Sequence, residues 1–529
     1  MRWLLPALCG LAACAESVRP PDVILISLDS VRADALTFLD PETTPNLASL
    51  ASRGTIFTRA VSGSSWTLPA HAQMFTGQPP VLHGVQDDER KIDPLTRTLP
   101  ECLAQRGFAT MGFWSGWFLA GPYGFERGFD LYESALTLEL DPEDSEPTEE
   151  PMDEKARRAQ YIKRENSSHR QITSERILEL ATSALERVDG SEPLFLFAHF
   201  FDPHYDYVPP APFDTRFDMD YDGDMDGRDF WANRRIFDPT KQPMRQINDR
   251  DLEHIRALYQ GELAWTDQVI GKLLERLKAH GRLENTVIIV TSDHGEEFFE
   301  HTNRGHRQGL YEEVLRVPLL IVLPDSIAGG TIPVPTSSSL VSLSDLMPTI
   351  LETVGGAVPE SVWGRSLLPL MSGDELADRF DRPVISTLTA QVETEDGGAT
   401  LVMEALHTGA AKLIRQVRIP NGGAPEVESL LWFDLAEDRA EQSPRRRISR
   451  PQVAGAWGLL EREMEGMRAF HAGLPHSLPE DRHTAVSEIF AAELSGLGYA
   501  EGPDERVPDS EAHWTLEPLP AMHPPMGDD

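Results

Sequence analysis

Four uninterrupted apolar runs punctuate the chain: Val23–Leu28, Leu194–Phe200, Val287–Thr291 and Val317–Leu323. None of them alternates between apolar and polar positions. A strand that is apolar at nearly every position belongs to a sheet covered on both faces. Segments with helical periodicity fall between these runs, near 44–53, 171–188, 251–279 and 344–354. From about 21 to 375 the alternation predicts an α/β fold, a central and mostly parallel sheet flanked by helices. After 376 the periodicity weakens. Short strands over 384–389, 400–406 and 411–418 and a helix near 451–471 predict a smaller C-terminal α+β subdomain. It runs to 529 and ends in a Pro-rich, acidic tail.

Composition narrows this picture. The 529 residues hold 85 Asp and Glu against 48 Lys and Arg, a net charge of −37. At 40% hydrophobic and 25% charged, the chain is globular rather than disordered. No nucleic-acid partner is expected, because a phosphate backbone demands clustered Lys and Arg. Residues 141–154 carry eight acids and no base and read as a solvated loop. No apolar run approaches the roughly 20 residues needed to span a bilayer.

The N-terminus begins MRWLLPALCGLAAC, one positive charge followed by a short apolar run. Its shape is that of an export signal. Leu11-Ala12-Ala13-Cys14 is similar to a bacterial lipoprotein box. Residues 1–13 would be removed and Cys14 acylated, leaving an exported envelope protein that meets the membrane only through this anchor. Cys9 leaves with the leader. Cys102, on one helical face with Leu99 and Leu103, reads as a small buried hydrophobe.

Three of the four strands run into polar residues: Asp29-Ser30, Ser292-Asp293-His294-Gly295, and His199 followed by Asp202-Pro203-His204. Ligands of open α/β sheets sit at the carboxyl ends of strands. Carboxylates and imidazole converging there suit a divalent metal. Between these strands, Thr67-Leu68-Pro69 opens a helix that Gly77 closes. Thr67 is at its N-terminus, where backbone N–H groups and the dipole favour an anion. Read locally, Thr67 is also an ordinary N-cap residue.

The order of the pieces resembles the sulfatase branch of the alkaline phosphatase superfamily. Matching segments are DVILISLDSVRADAL, TTPNLASLASRGTIFTRAV, TLPAHAQMFTG, HFFDPHYDY, TSDHGEEFFEH with GHRQGLYEEVLRVPLLI, and LSDLMPTILETVG with GRSLLPL. They span about 21–372, and FDLAEDRAEQ at 433–442 resembles the C-terminal signature. The resemblance implies a sulfatase-like catalytic domain over 14–375. It implies metal ligands at Asp29, Asp293 and His294, with Ser30 a further candidate where a second Asp is often found. Thr67 falls at the nucleophile position and would add its oxygen to the metal. True sulfatases carry there a Cys or Ser matured to formylglycine, within Cys-x-Pro-x-Arg. Here the pattern is Thr67-x-Pro69-x-His71, and a Thr cannot become formylglycine.

His204 matches a substrate-contacting His, and His306 stands where many sulfatases have Lys. Thr nucleophiles occur in superfamily members acting on phosphate esters. The reading is therefore a metal-dependent ester hydrolase with Thr67 as covalent nucleophile, preferring phosphate or phosphonate mono- and diesters. His71, His204 and His306 would stabilise the transferring oxygens or protonate the leaving group. The cofactor would be a divalent metal (Zn, Mn or Ca). A second ion could bind through His204 and His306, with Asp202 or His199 assisting. The partner would be an anionic ester. The alternatives are a sulfuric ester hydrolase without formylglycine, a phosphoethanolamine-type transferase, and a non-catalytic binding protein. Arg32 and Asp34 read as an ion pair, and Trp114, Trp117 and Phe118 as packing. Asp218, Asp220, Asp222, Gly223 and Asp229 fit the spacing of a calcium loop. His301 is left without a role.

Overall fold

The computed structural model describes residues 19–472 apart from 89, 137–170, 232, 239, 329–333, 373–381, 393–397, 422, 425 and 445–449. The expected leader 1–13, Cys14, the acidic stretch 141–154 and the C-terminal tail lie outside the described residues.

An eight-stranded sheet forms the centre of the chain. Its spatial order is Thr336–Ser337, Thr55–Phe57, Leu319–Val322, Thr286–Ser292, Asp22–Leu28, Leu194–Phe200, Ala109–Trp114 and Leu131–Ser134. The last five run parallel, and Leu319–Val322 is antiparallel to both its neighbours. The apolar run at 317–323 is broken by Pro318, which has no N–H to give a ladder. Arg316–Val317 instead pairs with Ala60–Val61 in a separate three-stranded sheet.

The strand Asp22–Leu28 is buried at every position, so its two faces seed two cores. Val23 and Leu25 pack with Leu68, Ala72 and Phe75 of the helix Thr67–Thr76 and with Met347 and Ile350 of Leu346–Thr353. Ile24, Ile26 and Leu28 face the long helix Asp249–Ala279 and Ser174–Arg187. The long helix starts at Asn248, whose side chain accepts from the Asp251 N–H. Cys102 is a free, buried thiol on Leu99–Ala104. No helix among the described residues is long and apolar enough to cross a membrane.

A second, antiparallel sheet follows in the order Val384–Val392, Ala399–His407, Ala411–Pro420 and Glu426–Asp434. The helix Arg450–Ala472 packs on it through Leu460, Met464 and Met467. Its first strand is tied to the segment just before Thr67. Thr387 N–H donates to Gly63 O at 2.8 Å, and the Ser64 hydroxyl donates to Thr387 O at 2.8 Å. The Ser386 hydroxyl donates to Ser62 O at 2.6 Å.

Candidate active site and metal centre

Sheet register sets the site. Leu28 pairs with both Phe200 and Ser292, so the residues that follow emerge side by side at the carboxyl edge. Ser292 fastens two of these ends together. Its hydroxyl lies 2.6 Å from Leu28 O and from His294 O, and it accepts from Val31 N–H at 2.9 Å. Asp29, Asp293 and His294 are fully buried there. Ser30, at φ 58, turns the chain sharply, donates its N–H to Asp293 Oδ1 at 3.2 Å and its hydroxyl to Asp29 Oδ1 at 2.9 Å. Its hydroxyl is thus engaged in holding Asp29.

Thr67 is the first residue of its helix. The N-cap Trp66 is extended and offers no side-chain cap, so the first-turn N–H groups have no such partner. Thr67 Oγ1 lies 3.3 Å from His294 Nε2 and 3.5 Å from Asp29 Oδ2. The chain brings the nucleophile candidate and three metal-ligand candidates together from three elements.

His294 Nδ1 is 2.9 Å from Gly295 O, so that nitrogen carries the proton and Nε2 the lone pair. That lone pair faces Asp293 Oδ2 at 3.3 Å and Asp29 Oδ1 at 3.7 Å. Asp293 Oδ2 is buried without a hydrogen-bond partner. Lone pairs converging in a buried space repel unless a cation lies between them, and buried unpaired charge is costly. Asp29, Asp293 and His294 offer ligand atoms within 4.8 Å of one another. Such a donor set fits a divalent metal.

His71 sits one turn into the Thr67 helix and is fully buried. Nδ1 lies 3.0 Å from Thr67 O and Nε2 2.9 Å from the Ser27 hydroxyl. Burial outweighs the pull of Asp293 and lowers its pKa to about 3, which keeps the ring neutral. His71 is thus buried one turn on from Thr67, with a partner at each ring nitrogen. His204 and His306 form the other wall, with ring centroids 4.8 Å apart. His306 lies 4.4 Å from the His294 ring and bonds Glu296 Oε1 through Nδ1 at 3.0 Å. His204 Nδ1 donates to Tyr205 O at 2.5 Å. Asp202 is turned elsewhere, accepting from Thr173, Ser174 and Trp265.

Glu296 is a site residue the sequence did not single out. It is fully buried, and burial pushes its carboxyl well above the usual range. Its signal was an acid directly after Asp293-His294-Gly295. Other candidates resolve into structural roles. Arg32 bonds Asp34 and Glu300. Trp114 stacks on Tyr132 and Phe118 packs edge-on against Trp66. Asp218 of the calcium-like loop is taken by Arg250 and His254 at 2.6 and 2.8 Å. His301 joins Glu297 and Glu313 in a separate buried cluster.

Comparison with known proteins fits this arrangement. The Sulfatase family pattern matches residues 21–356. Arylsulfatase K of Mus musculus is 25% identical over 390 residues, covering 69% of this chain and 66% of the mouse protein, just under two-thirds of its length. An arylsulfatase of Clostridium perfringens is 26% identical, covering 66% of this chain and 78% of the relative. Among solved structures, a phosphonate monoester hydrolase of Agrobacterium radiobacter superposes with a TM-score of 0.60 at 21% identity, covering 85% of this chain and 96% of that one. A 2-O GAG sulfatase superposes with a TM-score of 0.62 at 18% identity, covering 87% and 95%. With the family pattern covering well over half of its length, this chain belongs to the sulfatase family.

Proposed function

We propose that the protein is a metal-dependent ester hydrolase with Thr67 as covalent nucleophile, acting on phosphate or phosphonate esters in preference to sulfate esters. The supporting observation is Thr67 Oγ1 at 3.3 and 3.5 Å from His294 and Asp29, at an uncapped helix N-terminus. Asp29, Asp293 and His294 would hold the metal. When bound, a divalent cation there would lower the proton affinity of the Thr67 hydroxyl and neutralise ester oxygens.

The chain's own groups do the rest. The Thr67 hydroxyl gives up its proton to solvent as its Oγ attacks phosphorus, the bond to the leaving oxygen breaks, and a Thr67 ester remains. His204 or His306, facing the same space, gives the departing oxygen its proton. Helix N–H groups at Thr67 stabilise the charge on the transferring group. Water then attacks the ester, releasing the acid and regenerating the hydroxyl. A formylglycine hydrate could shed sulfate by hemiacetal collapse. Thr67 has no such route and must be freed by displacement, which motivates the preference for phosphorus.

A second reading, sulfuric ester hydrolysis without formylglycine, is favoured by the arylsulfatase names of the curated relatives. One assay separates the two. Purified enzyme is tested for bound metal and for turnover of aryl sulfate, phosphomonoester, phosphodiester and phosphonate. We expect phosphorus esters to turn over fastest and Thr67→Ala to lose at least about a thousandfold in kcat. Full activity in Thr67→Ala would remove Thr67 as nucleophile. Turnover of aryl sulfate alone would establish the second reading.

A further inference from the structure

We propose that His199 is an additional ligand of the metal held by Asp29, Asp293 and His294, and that this donor set selects a zinc-class transition metal over calcium. This rests on the metal-dependent reading above and deepens it.

His199 lies on the strand Leu194–Phe200, paired in register with Ser27, two residues before Asp29. It is fully buried. Neither of its ring nitrogens makes a hydrogen bond. A neutral imidazole has one N–H donor and one lone pair, and leaving both unmet in the interior costs stability. Yet His199 Nε2 lies only 3.2 Å from Asp29 Oδ2, at an angle that makes no hydrogen bond. It also lies with His71 and Asp293 in a group whose ligand atoms fall within 4.8 Å of one another, a group joined to the Asp29–Asp293–His294 set through the shared Asp293.

Two unsatisfied observations therefore meet at one place. Asp293 Oδ2 and the His199 ring are each buried and each without a hydrogen bond. A cation between them satisfies both. Nε2, 3.2 Å from Asp29 Oδ2, is the ring nitrogen aimed at the cradle. His71 completes the support, bonding Thr67 O and the Ser27 hydroxyl while its Nδ1 stands 3.6 Å from Asp293 Oδ2.

The consequence concerns metal choice. Calcium takes six to eight oxygen ligands, whereas imidazole suits Zn, Cu, Fe and Ni. Two imidazoles, two carboxylates and the Thr67 hydroxyl make a nitrogen-containing, low-coordination set.

The test reads coordination rather than turnover, so a failure of the Thr67 mechanism would not disturb it. Full-length protein is purified and its metal content measured. X-ray absorption fine structure of the zinc-loaded wild type then counts imidazoles. We expect zinc or a neighbouring transition metal, with at least two imidazoles. Calcium as the resident ion, or a single imidazole, would overturn the proposal. In cobalt-substituted protein, His199→Ala should shift the visible band and weaken metal affinity at least about tenfold. An unchanged band and affinity would overturn the ligand role. His199→Asn guards against a folding defect: if it folds as wild type, judged by circular dichroism, it should show the same loss.

Discussion

Single side chains decide the chemistry of this site. Thr67 lies beside His294 and the two aspartates, a set that could hold a cation, and His306 bonds Glu296 close by. If His306 protonates the leaving oxygen, His306→Ala should lower kcat by about 10²–10³ on an alkyl ester. The deficit should shrink on a nitrophenyl ester, whose leaving group needs no proton, and steady-state kinetics on the two substrates measure the difference. An equal loss on both would assign His306 to binding rather than to acid catalysis. The nearness of Asp29, Asp293 and His294 was legible in the sequence because each follows an apolar run, whereas Thr67 read locally as an N-cap and was singled out only by the family resemblance. The placement of His71 was not legible. Helical spacing set it one turn from Thr67, but only the packed strand shows that its Nε2 meets the Ser27 hydroxyl. Glu296 was missed because sequence alone does not tell whether an acid after a turn faces inward.

Elements bring these side chains to one point. The helix Thr67–Thr76 ends at Gly77, with φ 65, where an L side chain is strained. A Cβ there would also stand 2.7 Å from Val362 Cγ1. Gly77→Ala should therefore cost about 1–3 kcal/mol, seen as a lowered Tm in thermal denaturation. The buried parallel strands were readable from uninterrupted apolar runs. Strands with weaker runs were not. Ala109–Trp114 is interrupted by Thr110 and Gly112, and the edge strand Glu426–Asp434 opens on the polar alternation Glu426, Glu428, Ser429. An edge strand shows one side to water, so its pattern resembles a loop.

At the scale of the whole molecule, the two sheets meet through buried charges. Lys412 is fully buried, 3.0 Å from Glu441 and 3.3 Å from Glu312. Glu441 O accepts from His301 Nε2 at 3.0 Å, and His301 Nδ1 pairs with Glu313. Burial pulls the His301 pKa down, but Glu313 and Glu297 outweigh it and lift it from 6.5 to about 9. A raised pKa in the folded state means stabilisation that is full below pH 6.5 and lost as pH rises through 9. Stability should therefore fall by about 1–3 kcal/mol as pH rises from 6.5 through 9, read as a lowered Tm in thermal melts. His301→Gln should flatten that decline; an undiminished slope would place the titration elsewhere.

The ties from Ser386 and Thr387 to Ser62, Gly63 and Ser64 carry a consequence for the order in which the molecule is made. Thr67 is translated early, yet the strand hydrogen-bonded to the segment before it emerges more than 300 residues later. A ribosome has finished most of the chain before that support exists. The candidate site is thus completed last although Thr67 comes first, and a nascent or prematurely ended polypeptide carries Thr67 without the strand that ties its approach segment.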